Sequence, residues 1–295
     1  MKVVLGVRGR RDLMKTVTID QHQLPALGIG TWEMGDDPAD FDAEIAAIRA
    51  GLDAGLKVID TAEMYGSGRS ESLVGQAIQP YKRSDLYLIS KVLPENASAK
   101  LMPASLKASL QRLQTDYLDL YLYHWRGSIP LAETVATLQD LKKQGYIRAW
   151  GVSNFDIDDM QELWQLPEGQ NVAANEDLYN LETRGIEYSL LPWQRQHHLP
   201  LIAYSPLGRG PKMGSTMMQN PAVLEVAQKH QASAYQILLA WVIQQPDVLA
   251  IPKSSSADHL LANLKSLQIE LTPSDLEKLE QAYPKPDHKE PLAIY

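Results

Sequence analysis

The sequence predicts an α/β fold, a (β/α)8 TIM barrel whose floor is capped by an N-terminal β-hairpin, and three observations predict it. First, short apolar runs end in polar or small residues at a nearly regular beat. Gly30, Asp60, Lys91, His124, Ser153, Glu176, Tyr204 and Lys253 close these runs, at intervals of 30, 31, 33, 29, 23, 28 and 49 residues. About thirty residues is the length of a strand, a helix and two short connections. Second, the runs are near-continuous in apolar residues, as strands of a parallel sheet covered by helices are. Third, the segments between them carry the spacing of amphipathic helices. Eight such units close a barrel, and its chemistry gathers at the C-terminal strand ends.

Residues 16–19 and 23–27 read as the hairpin, and residues 27–32 as the first barrel strand and its exit. Phe41, Ile45, Ile48 and Leu52 share one helical face, and Gly55 stands just past that helix's end. A buried strand at 56–59 leads to Asp60. A helix over 71–78, capped by Glu71, precedes a strand from 86 to Lys91. A helix over 104–113, a strand over 117–123, a helix over 131–143 stopped by Gly145, a strand over 147–152 and a helix over 157–166 continue the pattern. The sixth strand is placed at 171–174, the seventh at 201–203 and the eighth at 248–251. Between the last two lie a Gly-Ser-Met loop over 206–221 and helices over 222–229 and 232–244. A last helix starts at Thr272-Pro273, a cap followed by proline in the first turn, and reaches residue 283. With no linker in view, residues 14–295 read as one barrel domain and 1–13 as a flexible tail ahead of a second start at Met14.

Composition narrows the function classes. At 295 residues and 44% apolar content the chain can build one large barrel core. A net charge of −8 without a basic block argues against nucleic-acid partners. The absence of cysteine excludes disulfides, thiolate metal sites and thiol nucleophiles. No stretch approaches the ~18 apolar residues of a membrane span. The run from Val3 to Leu5 is too short for a signal peptide. A cytoplasmic protein without membrane contact is expected. His22, His197, His198, His230 and His288 have no partners at metal-ligand spacing and read as surface residues, so no metal site is expected. Gly66-Ser67-Gly68 fails as a dinucleotide fingerprint, because Glu71 stands where the third glycine belongs.

Four strand-end residues suggest chemistry. Asp60 and Tyr65 stand five apart, Lys91 closes the next strand and His124 the one after. A phenol, with a pKa near 10, holds its proton too tightly to be a good acid near neutrality. Bringing it toward neutrality takes about 3–4 kcal/mol of phenolate stabilisation, within reach of a nearby ammonium in a partly dry site. Lys91 is expected to supply this, held charged by Asp60, while His124 positions a substrate oxygen. The sum is the acid half of a carbonyl reduction, with the hydride coming from a cofactor.

Six stretches stand in order: Gly28-Ile29-Gly30-Thr31-Trp32, Asp60 with Tyr65, Ile89-Ser90-Lys91, His124-Trp125, Gly151-Val152-Ser153-Asn154 and Ile251-Pro252-Lys253-Ser254. Together they resemble the aldo-keto reductases, over about residues 15–290. Asp60-Thr61-Ala62-Glu63-Met64-Tyr65, residues 117–125 and residues 162–167 look more closely like bacterial members of the methylglyoxal-reducing kind. The resemblance implies Tyr65 as general acid, in a tetrad with Lys91, Asp60 and His124. It implies NADPH as cofactor, with NADH usable but weaker. Gly30, Thr31, Trp32 and Asp60 would lie beside it, with Ser153, Asn154 and Glu176 at the nicotinamide carboxamide. Tyr204 would stack on the ring, followed by Ser205, Pro206 and Leu207. Lys253 and Ser254 would hold the 2′-phosphate, with His259 and Asn263 toward the adenosine. Trp32, Tyr65, His124 and Trp125 would line the substrate pocket. The physics agrees for Lys253, which precedes three serines and a helix start whose free N–H groups face an anion.

Two positions depart from the family pattern. Glu176 replaces a Gln that usually binds the carboxamide; an ionised Glu accepts from the amide NH2 but cannot donate to its oxygen. His259 stands where many members carry Arg, and neutral His is a weaker phosphate partner, which softens the preference for NADPH without abolishing it. The expectation is a monomeric reductase of small aldehydes and 2-oxoaldehydes such as methylglyoxal, with no obligate protein partner. The 206–221 loop is expected to fold over the cofactor. Two rivals use the same residues. One is a Schiff-base lyase on Lys91, which Asp60 opposes by keeping the amine protonated. The other is a cofactor-binding sensor or partner subunit with vestigial activity, which the intact tetrad opposes.

Overall fold

The computed structural model describes residues 15–208 and 216–294; the expected tail over 1–13 and the middle of the 206–221 loop lie outside them. An antiparallel hairpin comes first. Its strands β1 (Thr16–Ile19) and β2 (His22–Pro25) are joined by Asp20 and Gln21, at φ of 41° and 67°. Two central residues at positive φ give the tight turn whose twist suits a hairpin.

Eight mutually parallel strands follow: β3 (Ile29–Gly30), β4 (Val58–Asp60), β5 (Tyr87–Val92), β6 (Leu118–Tyr123), β7 (Ile147–Ser153), β8 (Asn175–Leu178), β9 (Leu201–Tyr204) and β10 (Val248–Ala250), each paired with the next. The first and last also meet. Gly28 N–H donates to the Ala250 carbonyl at 2.8 Å and Gly30 N–H to that of Pro252 at 3.1 Å, while Gly30 bridges Lys253. The sheet therefore closes into a barrel. A Cβ on Gly30 would stand 2.5 Å from the Ile251 carbonyl oxygen, so the seam needs glycine there.

Side chains alternate across a strand, so one residue in two looks inward. Val58, Ile89, Leu120, Leu122, Ala149, Ala174, Ile202, Leu249 and Ile251 make the apolar fill. Val17, Ile19 and Leu24 of the hairpin belong to the same cluster, which is how the hairpin caps the floor. In phase with this fill, one or two pleats further on, stand Asp60, Lys91, His124, Ser153, Glu176, Tyr204 and Lys253. The thirty-residue beat is thus the top inward layer of the barrel.

The described residues hold ten helices: α1 (Phe41–Asp53), α2 (Arg69–Ile78), α3 (Met102–Leu113), α4 (Leu131–Lys143), α5 (Ile157–Gln165), α6 (Leu190–Gln196), α7 (Pro221–Lys229), α8 (Ala234–Ile243), α9 (Ala257–Leu264) and α10 (Pro273–Ala282), of which α3, α4 and α8 pack on β5, β7 and β10. In α4 the stripe Leu131, Val135, Leu138 and Leu141 is buried, each side chain contributing about 1.5–3 kcal/mol. Gly145, at φ 84°, turns the chain away. Helix α8 is apolar all round and packs against β10, α7 and α9.

Three expectations are corrected. The sixth barrel strand is Asn175–Leu178, not 171–174. Its sequence, Asn-Glu-Asp-Leu, is polar although every residue is buried, so the apolar signal lies in the Val172-Ala173-Ala174 lead-in. Helix α6 has no counterpart in the sequence reading; it is seven residues long and carries Pro192. Glu71 does not cap α2, which starts two residues earlier at Arg69. Its buried carboxylate accepts from Ser90 Oγ and Arg112 Nε, both at 2.6 Å, tying α2 to β5 and α3.

Candidate active site

Lys91 is the hub. It is fully buried one residue before the end of β5. Its Nζ lies 2.6 and 2.7 Å from the two Asp60 carboxylate oxygens, 3.1 Å from the Thr61 carbonyl and 3.1 Å from Tyr65 Oη. It is also 3.3 Å from Glu176 Oε1. Tyr65 rides a turn after β4 that Glu63 pins in place, accepting from Leu93 N–H at 2.7 Å, Asn96 Nδ2 at 3.0 Å and the Ser105 hydroxyl. Gly66, Ser67 and Gly68 follow at φ of 56°, 55° and 89°, so these residues make the sharp entry into α2. Trp32 meets the Tyr65 ring edge-on at 4.9 Å between centroids, and His124 stands 6.0 Å away. Trp125 lies against His124 at 4.6 Å. The sequence-predicted tetrad and pocket residues are therefore assembled at one mouth.

The charges around Tyr65 differ from expectation. Burial pushes the phenol up, Lys91 pulls it down, and Asp60 and Glu176 push it up again, leaving it above the ordinary tyrosine value. The expected lowering assumed a partly dry site with one cation, but burial outweighs Lys91 and two carboxyls converge. Tyr65 accordingly stays a protonated phenol. Burial alone would lower Lys91, but Asp60, Glu176 and Tyr65 outweigh it and keep the ammonium charged. Burial and then Lys91 push His124 down to about 2, so its imidazole is neutral.

A second group forms on the neighbouring wall. Ser153 Oγ donates to the Glu176 carbonyl at 2.9 Å, and Asn154 Nδ2 donates to the His124 carbonyl and to Ser153 Oγ, both at 3.1 Å. Tyr204 Oη donates to Asn154 Oδ1 at 2.8 Å. Asn154 sits at φ 56°, in the left-handed region, which aims its amide back across β7. Ser205 follows Tyr204, and its carbonyl accepts from Asn180 Nδ2 at 3.0 Å; Pro206 and Leu207 pack beside it.

Lys253, Ser254, His259 and Asn263 form a third group at the β10 exit and on α9. Lys253 is exposed and makes no ion pair among the described residues, while Ser256 Oγ caps α9. The Gly30–Lys253 bridge joins this group to the mouth. The structure also shows positioning contacts the sequence did not reveal. Thr31 is fully buried; its Oγ1 donates to the Asp60 carbonyl at 2.8 Å and accepts from Ser70 Oγ at 2.7 Å. Ser70 and Asn180 carry no motif, so only their contacts mark them.

The aldo/keto reductase family model matches residues 26–284. The chain is 49% identical over 269 residues to methylglyoxal reductase YeaE of Escherichia coli K12, covering 91% of this chain and 94% of that one. It is 31% identical to the NADH-specific methylglyoxal reductase of the same organism, covering 85% and 92%. The crystal structure of an aldo/keto reductase from Klebsiella pneumoniae in complex with NADP and acetate superposes at a TM-score of 0.93 and 47% identity, covering 96% of this chain and 100% of that one. The closed barrel, the Lys91-centred mouth and a likeness of this extent lead to one assignment: the chain is an oxidoreductase and belongs to the aldo/keto reductase family.

Proposed function

We propose that the chain reduces small aldehydes and 2-oxoaldehydes of the methylglyoxal type to alcohols with NADPH, Tyr65 giving the proton. The single observation that carries this is Lys91 Nζ bonded at once to the Asp60 carboxylate and to Tyr65 Oη, with Trp32 and His124 against the Tyr65 ring. The names of the YeaE relative and of the NADH-specific relative support the substrate class.

Tyr65 enters the reaction as a phenol and leaves it as a phenolate beside the Lys91 ammonium. Lys91 stabilises charge that develops only as the proton moves, which accelerates the step rather than substrate binding. Neutral His124 bonds the carbonyl oxygen and orients it without competing as an acid. Trp32 and Trp125 offer apolar walls to a small carbonyl compound. Bound NADPH would supply the hydride. The residues fit it: the half-buried Tyr204 ring and the Asn154–Ser153 pair suit a nicotinamide, and exposed Lys253, without an ion pair among the described residues and before a capped helix, suits a phosphate. Gly30, Thr31, Ser254, His259 and Asn263 complete that reading.

The Schiff-base alternative fares worse, because Lys91 is buried, bonded on all its donors and held protonated. The decisive experiment is NADPH absorbance with a panel of aldehydes, ketones and sugars. Small aldehydes should be turned over with higher kcat/KM using NADPH than NADH. Tyr65→Phe should lower kcat by about 10²–10⁴-fold with the fold intact. An unchanged rate in that variant rejects the mechanism, and equal efficiency with both cofactors rejects the NADPH preference.

A further inference from the structure

One buried cation faces two buried carboxyls at the top of the barrel. Lys91 has three N–H donors, and Asp60, the Thr61 carbonyl and Tyr65 Oη take them. Glu176 meets the ammonium as an ion contact through Oε1, and no donor among the described residues reaches Oε2. Strands β4 and β8 stand four apart in the ring of eight, so Glu176 crosses the barrel axis to meet Asp60. The two carboxyls converge on one ammonium, Asp60 Oδ1 at 2.6 Å and Glu176 Oε1 at 3.3 Å from Lys91 Nζ. Both residues are 1% exposed and Lys91 is 0% exposed. Ionised together, they would leave an uncompensated negative charge in a site closed to water. A buried charge of that kind takes up a proton, and two carboxyls in contact share one. Asp60, engaged twice by Lys91, is the anion of the pair.

We propose that Glu176 stands as a neutral carboxylic acid that donates to Asp60 and, through Lys91, acts as a positioning residue for the Tyr65 proton donor. The kinetic part rests on the reductase reading; the protonation part does not. With Glu176 neutral, Asp60 and Lys91 cancel, and the ammonium can stabilise a phenolate on Tyr65. When Glu176 loses its proton to water, a second negative charge appears beside Lys91, the phenolate costs more, and proton transfer slows. The groups facing Glu176 are Asp60 from β4, Lys91 from β5 and Tyr65 from the turn after β4. The flanking strands β7 and β9 bring Ser153 and Tyr204, and neutral His124 follows β6.

Glu176→Gln replaces the neutral acid with a neutral amide of the same shape. The infrared difference spectrum of the resting wild-type protein minus this variant, at neutral pH, should show a protonated carboxyl C=O stretch that moves in D2O. The alkaline fall of kcat/KM for aldehyde reduction should shift upward in the variant by about one pH unit or more. Glu176→Ala, which leaves Asp60 without that donor, should lose about tenfold more kcat than Glu176→Gln, the worth of one buried hydrogen bond to a charged group. A missing band overturns the neutral acid. Superimposed pH profiles overturn the positioning role. Because the band is read without turnover, a chain that reduces no aldehyde sinks the reductase reading and leaves the protonation result standing.

Discussion

Lys91 holds together two buried carboxyls that no other cation among the described residues meets. Without it, Asp60 and Glu176 face each other across the barrel axis in a site closed to water. Lys91→Met should therefore cost about 3–5 kcal/mol of stability at neutral pH, measured by urea unfolding, because it leaves a buried charge unpaired. A cost under 1 kcal/mol would mean that Asp60 takes up a proton of its own once the ammonium is gone. The tetrad was legible residue by residue, since Asp, Lys and His at the ends of apolar strands are conspicuous. The direction of the Tyr65 pKa was not legible. It depends first on how deeply the closed ring buries the phenol, and then on the groups that converge on it through space from separate strands.

Among the elements, α10 shows how local signals and distant partners combine. Thr272 and Asp275 form a capping box, visible in the sequence as a cap followed by Pro273. Asp275 also receives Lys229 Nζ at 2.6 Å and His230 Nε2 at 2.8 Å, which dock α7 against it. Burial would push Asp275 up, but Lys229, His230 and Thr272 outweigh it and hold the carboxyl well below its ordinary range. A carboxyl lowered on folding contributes stability that is present above its unfolded pKa of about 3.9 and is lost as pH falls through the folded value. Asp275→Ala should destabilise the protein by about 1–2 kcal/mol at pH 7, with the difference shrinking below about pH 4. Thermal melts at both pH values check this, and a constant difference contradicts it. The stripes of α1 and α4 were legible because burial there follows the helical period. Strand β8 was not, because its Asn-Glu-Asp stretch is polar yet buried, so no apolar run marks it. Helix α6 was not, because seven residues are too few for a period to show.

At the scale of the whole molecule, closure of the ring brings the three groups of site residues to one mouth. The chain around β3 and β10 closes the ring through backbone bonds at Gly28 and Gly30, and at Gly30 the two backbones approach too closely for a side chain. Gly30→Ala puts a methyl group against the Ile251 carbonyl and should cost about 2–3 kcal/mol, the upper range for overpacking, with the loss measured by chemical unfolding. An unaffected midpoint would show that the seam can open locally. The sequence by itself determined the barrel, its hairpin floor, the strand ends and the chemical identity of the tetrad, because a strand-helix beat and charged residues after apolar runs are local signals. Only the tertiary structure decided that Thr31 serves Asp60, that Asn154 links His124 to Tyr204, and that Glu176 joins the Asp60–Lys91 pair. Those facts arise from side chains of strands far apart in sequence meeting across a closed, dry interior, where each added group bears on the protonation of the others.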